Sequence, residues 1–290
     1  MLGKLLKYEF KATARIFLLM YAALLVVAAI SAALYAISGS ILSGTQGVMP
    51  MVLTVISSIF TVIYVLVAIA VMVVTVVVII MRFYRMLGNE GYLWFTLPAT
   101  ANQHLLSKLI TSLVWTIAGT LMVCISILIL ALPAGWISYL GQLPQAWNAL
   151  VSVGINPGAW LAGIAVFLII TVIFGNLMFY TAMAIGPNLT KSRLGGSVLA
   201  YIILYICSQV VGVVELLILL IPLSSLNGNL SIDISVNATD NIAPVLTQIT
   251  PTINSAMLAL FICFGVGYLA MSVVLYLLSK HFMTKKLNLV

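Results

Sequence analysis

Charged residues are scarce in this 290-residue sequence: Asp, Glu, Lys and Arg make up only 6% of the chain, whereas 64% is hydrophobic. Soluble globular domains carry roughly a quarter charged residues, so that class is excluded. The mean hydropathy of +1.27 agrees with this exclusion. Because the apolar runs are too long and too numerous for one aqueous core, the composition predicts an integral membrane protein.

Residues that carry enzyme chemistry are also few. The only two histidines are His104 and His281, at the predicted cytoplasmic edges of helices, so no Ser-His pair or His-Glu-x-x-His zinc motif is expected within the membrane. The sequence has no Gly-x-x-x-x-Gly-Lys-Ser/Thr loop to hold nucleotide phosphates. The three cysteines lie inside apolar runs and are typical of small hydrophobic residues rather than of disulfides. We therefore expect no enzyme activity, metal or cofactor in this chain.

Long apolar runs are what the sequence has in abundance. A helix needs about 20 apolar residues to cross a hydrocarbon core about 30 Å thick. Six runs satisfy this requirement, and the predicted transmembrane helices are residues 16–37, 50–81, 109–134, 159–185, 195–221 and 255–279. The predicted fold is an all-α integral membrane protein with a single transmembrane domain over residues 1–290, and residues 222–254 form a predicted extracellular segment.

All 12 basic residues lie on one side of these predicted spans. They precede the first span, separate the second from the third and the fourth from the fifth, or follow the last. Cytoplasmic loops retain positive charge during insertion, so both termini are expected in the cytoplasm. The net charge of +7 is thus interpreted as an orientation signal. The sequence has no basic surface interleaved with aromatic residues, so nucleic-acid binding is not expected.

Residues 1–15 form a predicted amphipathic helix at the membrane interface. An unexpected acid, Glu9, falls on its apolar side. We weigh two roles for this helix, anchoring to anionic lipid alone or also docking a partner, and two for Glu9, pairing with a neighbouring cytoplasmic segment or extending toward water. The polar side of the helix carries Lys4, Lys7, Lys11 and Arg15.

The connection between the second and third spans, residues 82–108, is the one cytoplasmic loop with enough sequence to form structure. Gly88 and Gly91 permit tight turns, and the aromatic stretch that follows is too short to cross the membrane, so it is expected at the interface. Thr100 and Gln103 have the spacing of a capping box, which predicts that a helix begins there and continues into the third span.

Three stretches of the chain resemble ABC-2 type permeases, the membrane subunits of ATP-driven bacterial exporters. They are Leu-Leu-Lys-Tyr-Glu-Phe-Lys at residues 5–11, Asn-Glu-Gly-Tyr through Thr-Leu-Pro to Ser-Lys at residues 89–108, and Lys-Lys-Leu-Asn-Leu at residues 285–289. Together with the six-span topology, they are most similar to permeases of Gram-positive bacteria that export amphipathic peptides or confer immunity to them. Exporters of phenol-soluble modulins are one such system.

The resemblance implies a short coupling helix after the second span, which docks on a separate ATPase and transmits its nucleotide-driven closure. Glu90 is the expected charged contact. Tyr92, Leu93 and Trp94 are the expected hydrophobic anchors. The alternative is an aromatic turn at the membrane interface without a partner. The implied ATPase-coupling residues are Leu87, Gly88, Asn89, Glu90, Gly91, Tyr92, Leu93, Trp94 and Phe95.

Glu215 is the only full charge within the predicted spans. An isolated carboxylate is costly in lipid, so Glu215 is expected to face protein or water. The resemblance implies that the fifth helix lines a substrate path, to which we assign Glu215 and Gln209. The alternative for Glu215 is a protonated group bonded to a neighbouring helix. For Gln209 and Asn176 the alternative is hydrogen bonding between helices.

The expected function is therefore the permease subunit of an ABC exporter that moves an amphipathic or hydrophobic substrate, most readily a peptide, out of a bacterial cell. The resemblance implies that ATP and Mg²⁺ bind a cytoplasmic ABC ATPase, and that two copies of this chain pair in the plasma membrane. One alternative is a gradient-driven transporter with Glu215 as its proton site, although the sequence shows no second charge or evident inverted repeat. Another is a membrane sensor or immunity subunit that binds a ligand without moving it.

Overall fold

The computed structural model of the chain describes residues 2–42, 48–87, 100–135, 140–190, 192–227 and 243–285. Within these ranges the regular structure is entirely helical, which confirms the predicted fold class. A 3-10 turn over Leu132–Ala134 directly follows the third helix. The described α-helices are α1 (Leu2–Leu42), α2 (Val48–Leu87), α3 (Ala101–Ala131), α4 (Leu143–Ser152), α5 (Pro157–Leu189), α6 (Arg193–Asn227) and α7 (Ala243–Lys285).

Six of these helices, all except α4, are long and apolar enough to cross a membrane, which confirms the predicted number of spans. The helices are longer than predicted at their basic ends. α2 continues to Leu87 and α3 begins at Ala101, so much of the predicted loop 82–108 is helical. Arg and Lys are good helix formers, and a charge that ends an apolar run does not end the helix.

The predicted division of the N-terminal segment differs from the structure. α1 runs without interruption from Leu2 to Leu42, so residues 1–15 and 16–37 belong to one helix. The sequence explains this continuity, because no Gly or Pro lies between Gly3 and Gly39. At 1.5 Å per residue the helix is about 60 Å long, twice the thickness of the hydrocarbon core, so its basic turns extend beyond it.

The described helices form two compact units. The N-terminal unit contains α1 to α3, and α1 packs against both of the other helices. Its apolar core includes Phe17, Tyr21, Leu24 and Ala28 of α1, whose spacing places them on one helix face. These side chains are buried together with others from α2, which makes α1 the central helix of this unit.

The C-terminal unit contains α4 to α7, and α5 packs against both α6 and α7. Phe174 of α5 lies against Tyr268 of α7, with ring centroids 5.0 Å apart. A Cβ added at Gly196 of α6 would overlap the carbonyl oxygen of Gly186 of α5, so these two helices approach closely at glycine. Close backbone approach of this kind favours helix association within a membrane, where burial of apolar side chains contributes little to association.

Two connections of the C-terminal unit contain helical residues that the sequence did not predict. The connection before the fourth span contains the short helix α4, and α5 then begins after Asn156, whose Oδ1 accepts a hydrogen bond from the Ala159 amide. The predicted extracellular segment 222–254 is helical at both ends, through residue 227 and from residue 243. Residues 228–242 lie outside the described part of the chain.

Candidate coupling site

Glu9 joins three helices at the predicted cytoplasmic end of the N-terminal unit. Its carboxylate lies 2.5 Å from Lys108 Nζ of α3 and 3.4 Å from Arg82 Nη2 of α2. The side chains of Glu9 and Lys108 are only 3% and 7% exposed. Of the two roles considered for Glu9, the structure shows pairing with a neighbouring segment, since Arg82 and Lys108 both belong to the predicted connection 82–108. Since a buried charge stripped of its partner is strongly destabilising, this pair resists separation.

A second set of contacts holds α1 to α3 just beyond the ion pair. Thr13, one turn after Glu9, donates its hydroxyl to the Glu9 carbonyl oxygen at 2.8 Å. The same hydroxyl accepts a 2.8 Å hydrogen bond from Trp115 Nε1 of α3. Phe17, one further turn along α1, stacks on the Trp115 ring with centroids 4.6 Å apart. These contacts place the Glu9 carboxylate opposite Lys108 at a defined position along both helices.

Arg82 and Lys108 stand on either side of the predicted coupling segment. Leu87, the first predicted coupling residue, is buried at the end of α2 and is not an exposed contact. The other predicted coupling residues lie outside the part of the chain that the structure describes: Gly88, Asn89, Glu90, Gly91, Tyr92, Leu93, Trp94 and Phe95. Glu9 thus pairs with both helices that lead into this segment.

The helix after the coupling segment begins where the sequence predicted. Thr100 is the N-cap of α3, and the backbone amides of Gln103 and His104 donate to its carbonyl oxygen at 2.9 and 3.2 Å. The Thr100 side chain makes no capping hydrogen bond, so the predicted capping box is not formed. Residues one and two turns further along α3 are buried, among them His104 and Lys108.

The basic side of α1 is separate from the ion pair. Its four predicted residues are exposed, and Glu9 points away from them into the unit, as the helical wheel predicted. These exposed residues are Lys4, Lys7, Lys11 and Arg15.

Glu215 lies in the C-terminal unit and is 9% exposed. It packs against α7 at Gly267, where an added Cβ would overlap its carboxylate. The Cys263 thiol of α7 also lies 3.8 Å from the Glu215 carbonyl oxygen. Glu215 was expected to face protein or water, and the structure places it against protein, a helix of the same unit.

The structure does not bring the two predicted substrate-path residues onto one face. Gln209 is exposed, whereas Glu215 is buried. Six residues along a helix correspond to a rotation of about 600°, so the two side chains point in directions about 120° apart. Gln209 therefore lies on the outer surface of α6, away from the α7 contact that covers Glu215.

Polar contacts between α5 and α7 differ from those that the sequence suggested. Asn176 is buried, and its Nδ2 has no hydrogen-bond partner among the described residues. The buried link is instead between Thr181 and Ser279, whose hydroxyl oxygens lie 2.7 Å apart. Small hydroxyl residues at helix interfaces are a known source of such links, but sequence gives no way to pair them.

No group of three or more metal-binding side chains occurs among the residues that the structure describes. No protein-family model, curated protein or solved structure matches this chain.

Proposed function

We propose that this chain is the permease subunit of an ATP-driven exporter and that a separate cytoplasmic ATPase docks on the segment between α2 and α3. The observation that supports the proposal best is the position of Glu9, which pairs with the helices on both sides of that segment. ATP and Mg²⁺ bind the ATPase, which supplies the energy that this chain has no motif to provide.

The ion pairs give the segment a mechanical connection to the membrane. A displacement of the segment moves Arg82 at the end of α2 and Lys108 near the start of α3. Both are paired with Glu9. Removing one partner of the buried Glu9–Lys108 pair costs about 3–5 kcal/mol, whereas the more exposed Arg82 pair is weaker, so α1 moves chiefly with Lys108. The three helices then shift as one body, which is how packed helices respond to a force at one end.

Two copies of the chain pair in this proposal, because one chain offers one such segment and an ATP-driven exporter closes two ATPase subunits together. The substrate passes between membrane helices and is amphipathic or hydrophobic, most readily a peptide. The membrane is the bacterial plasma membrane, with the basic helix ends on its cytoplasmic side.

The test is co-purification of the chain with a cytoplasmic ABC ATPase from the same cells. Glu90→Ala and Tyr92→Ala are expected to lower the recovery of the ATPase because they remove docking contacts. Unchanged recovery in both variants would remove the coupling assignment.

Glu9→Gln separates docking from coupling. This variant leaves the docking segment intact, so the ATPase is expected to co-purify. The stimulation of its ATP hydrolysis by the permease should fall severalfold. Arg15→Gln is the matched control: it also removes one charge from α1, but from an exposed position, and is expected to change neither property. Full stimulation with Glu9→Gln would show that the ion pairs do not transmit movement.

A gradient-driven transporter is the second candidate, favoured by the buried Glu215 on α6. Transport into vesicles distinguishes the two. Transport by the exporter requires ATP and continues when the proton gradient is collapsed. Transport by the gradient-driven mechanism continues without ATP and is abolished by Glu215→Gln. Binding of a ligand without any transport would instead indicate a sensor or immunity subunit.

A further inference from the structure

A cavity of about 290 Å³ lies in the N-terminal unit, next to the Glu9 ion pairs. One side of its lining is cationic and is formed by Arg82, Arg85 and Lys108. The other side is apolar and is formed by Ala12, Ile16, Val78 and Met81. Its volume is at the lower limit of small-molecule pockets, which suits the head of a ligand rather than a whole lipid or peptide.

Among the residues that the structure describes, the acidic side chains neutralise only part of the positive charge on the cationic side. Glu9 pairs with Lys108 and Arg82, whereas Arg85 is exposed and forms no ion pair with any described residue. Three cations thus face one carboxylate. Arg82 and Arg85 are three residues apart on α2 and share one helix face. Guanidinium groups bind phosphate oxygens in pairs, so this side of the cavity suits a phosphate group.

The apolar side continues onto the surface that faces lipid. Ile16 and Met81 are 48% and 49% exposed, so the cavity opens outward between α1 and α2. Further along these helices Leu19 and Val77 are also exposed, so an apolar strip leads away from the cavity. A ligand that uses both sides has a phosphate at one end and hydrocarbon at the other.

We propose that this cavity binds the phosphate group of an anionic phospholipid from the cytoplasmic leaflet, with its acyl chains lying along the exposed apolar surface of α1 and α2. Basic pockets between membrane helices on this side commonly suit such headgroups. The site is distinct from the exposed basic side of α1, and the proposal does not depend on an ATPase. A bound lipid would hold α1 against α2 next to the Glu9 pairs.

The first test measures retention of short-chain phosphatidylglycerol and phosphatidylcholine by the full chain in detergent, using native mass spectrometry. Phosphatidylglycerol is expected to be retained preferentially. Arg85→Gln should weaken its binding about tenfold or more, because it removes a guanidinium hydrogen bond to a charged phosphate oxygen. Arg15 is exposed and lies outside the cavity, so Arg15→Gln should change phosphatidylglycerol binding less than about twofold. Equal losses in the two variants would overturn the proposal, because they would indicate general surface attraction.

A second variant tests the cavity without changing any charge. Ala12→Leu places a larger side chain into the apolar side at an exposed helix position that tolerates leucine. It should weaken phosphatidylglycerol binding as much as Arg85→Gln, with an unchanged circular dichroism spectrum. Wild-type binding by Ala12→Leu would overturn the proposal.

Inorganic phosphate distinguishes a lipid from a soluble anion. Because only the lipid also uses the apolar side, phosphate should displace phosphatidylglycerol only at about a hundredfold higher concentration or more. Displacement at equal concentration would show that the cavity holds a free phosphate, and the lipid assignment would be rejected.

Discussion

The ion pairs of Glu9 predict two unequal energetic couplings that a double-mutant cycle can measure. Lys108 is 7% exposed and 2.5 Å from the carboxylate, whereas Arg82 is 27% exposed and 3.4 Å away. Removing one partner of a buried pair lowers the free energy of unfolding by about 3–5 kcal/mol. A solvent-accessible pair contributes only about 0–1 kcal/mol to it. We therefore expect most of the stabilisation to come from Lys108.

The cycle compares Glu9→Gln, Lys108→Met and the double variant, and a parallel cycle uses Arg82→Met. Glu9→Gln should lower the free energy of unfolding by about 3 kcal/mol, because it leaves Lys108 buried without its acid. The Glu9–Lys108 coupling should be at least about 3 kcal/mol, because Lys108→Met should cost about as much as Glu9→Gln and the double variant less than either. The Glu9–Arg82 coupling should be below about 1 kcal/mol. Unfolding is followed by circular dichroism during SDS titration in mixed micelles.

The double variant with Lys108→Met supplies the decisive comparison. Replacing both members of a buried pair by neutral groups is often nearly neutral, so this variant should be more stable than Glu9→Gln alone. A coupling to Lys108 below about 0.5 kcal/mol, or one smaller than the coupling to Arg82, would refute the idea that Glu9 holds the three helices together.

Two further predictions concern packing within each unit. Gly267→Ala should destabilise the chain by about 1–3 kcal/mol, because its Cβ overlaps the Glu215 carboxylate; Gly212→Ala, which meets no atom within 4 Å, should be neutral or stabilising in the same SDS titration. Trp115→Phe removes the hydrogen bond to Thr13 but keeps an aromatic ring, so it should lower the free energy of unfolding by about 1 kcal/mol. A loss for Gly212→Ala equal to that for Gly267→Ala, or no loss for Trp115→Phe, would contradict these contacts.

Much of the fold follows from the sequence because the bilayer imposes a simple length rule. An apolar run of about 20 residues has few alternatives to a spanning helix, so six spans could be predicted without contacts. Helix ends could not, because Arg85 and Lys108 lie inside helices although they mark the ends of apolar runs. α4 was missed since its ten residues are too short to stand out as a periodic pattern.

The candidate site was only partly predictable. The wheel position of Glu9, on the apolar side of α1, left two roles open, pairing with a neighbouring segment or extending toward water. Its partners lie on two other helices far along the chain. Which basic residue meets it depends on how α1 packs against α2 and α3. By contrast, the separation of Glu215 from Gln209 follows from helix geometry alone, and a wheel drawn for α6 would have found it.

The central claim is that the segment between α2 and α3 faces the cytoplasm, where an ATPase can reach it. The direct test is Trp94→Cys in a chain whose native cysteines are replaced by Ala: Cys124, Cys207 and Cys263. A membrane-impermeant thiol reagent should label this cysteine only after the cells are permeabilised. Labelling of intact cells would place the segment on the outer surface and contradict the proposed coupling.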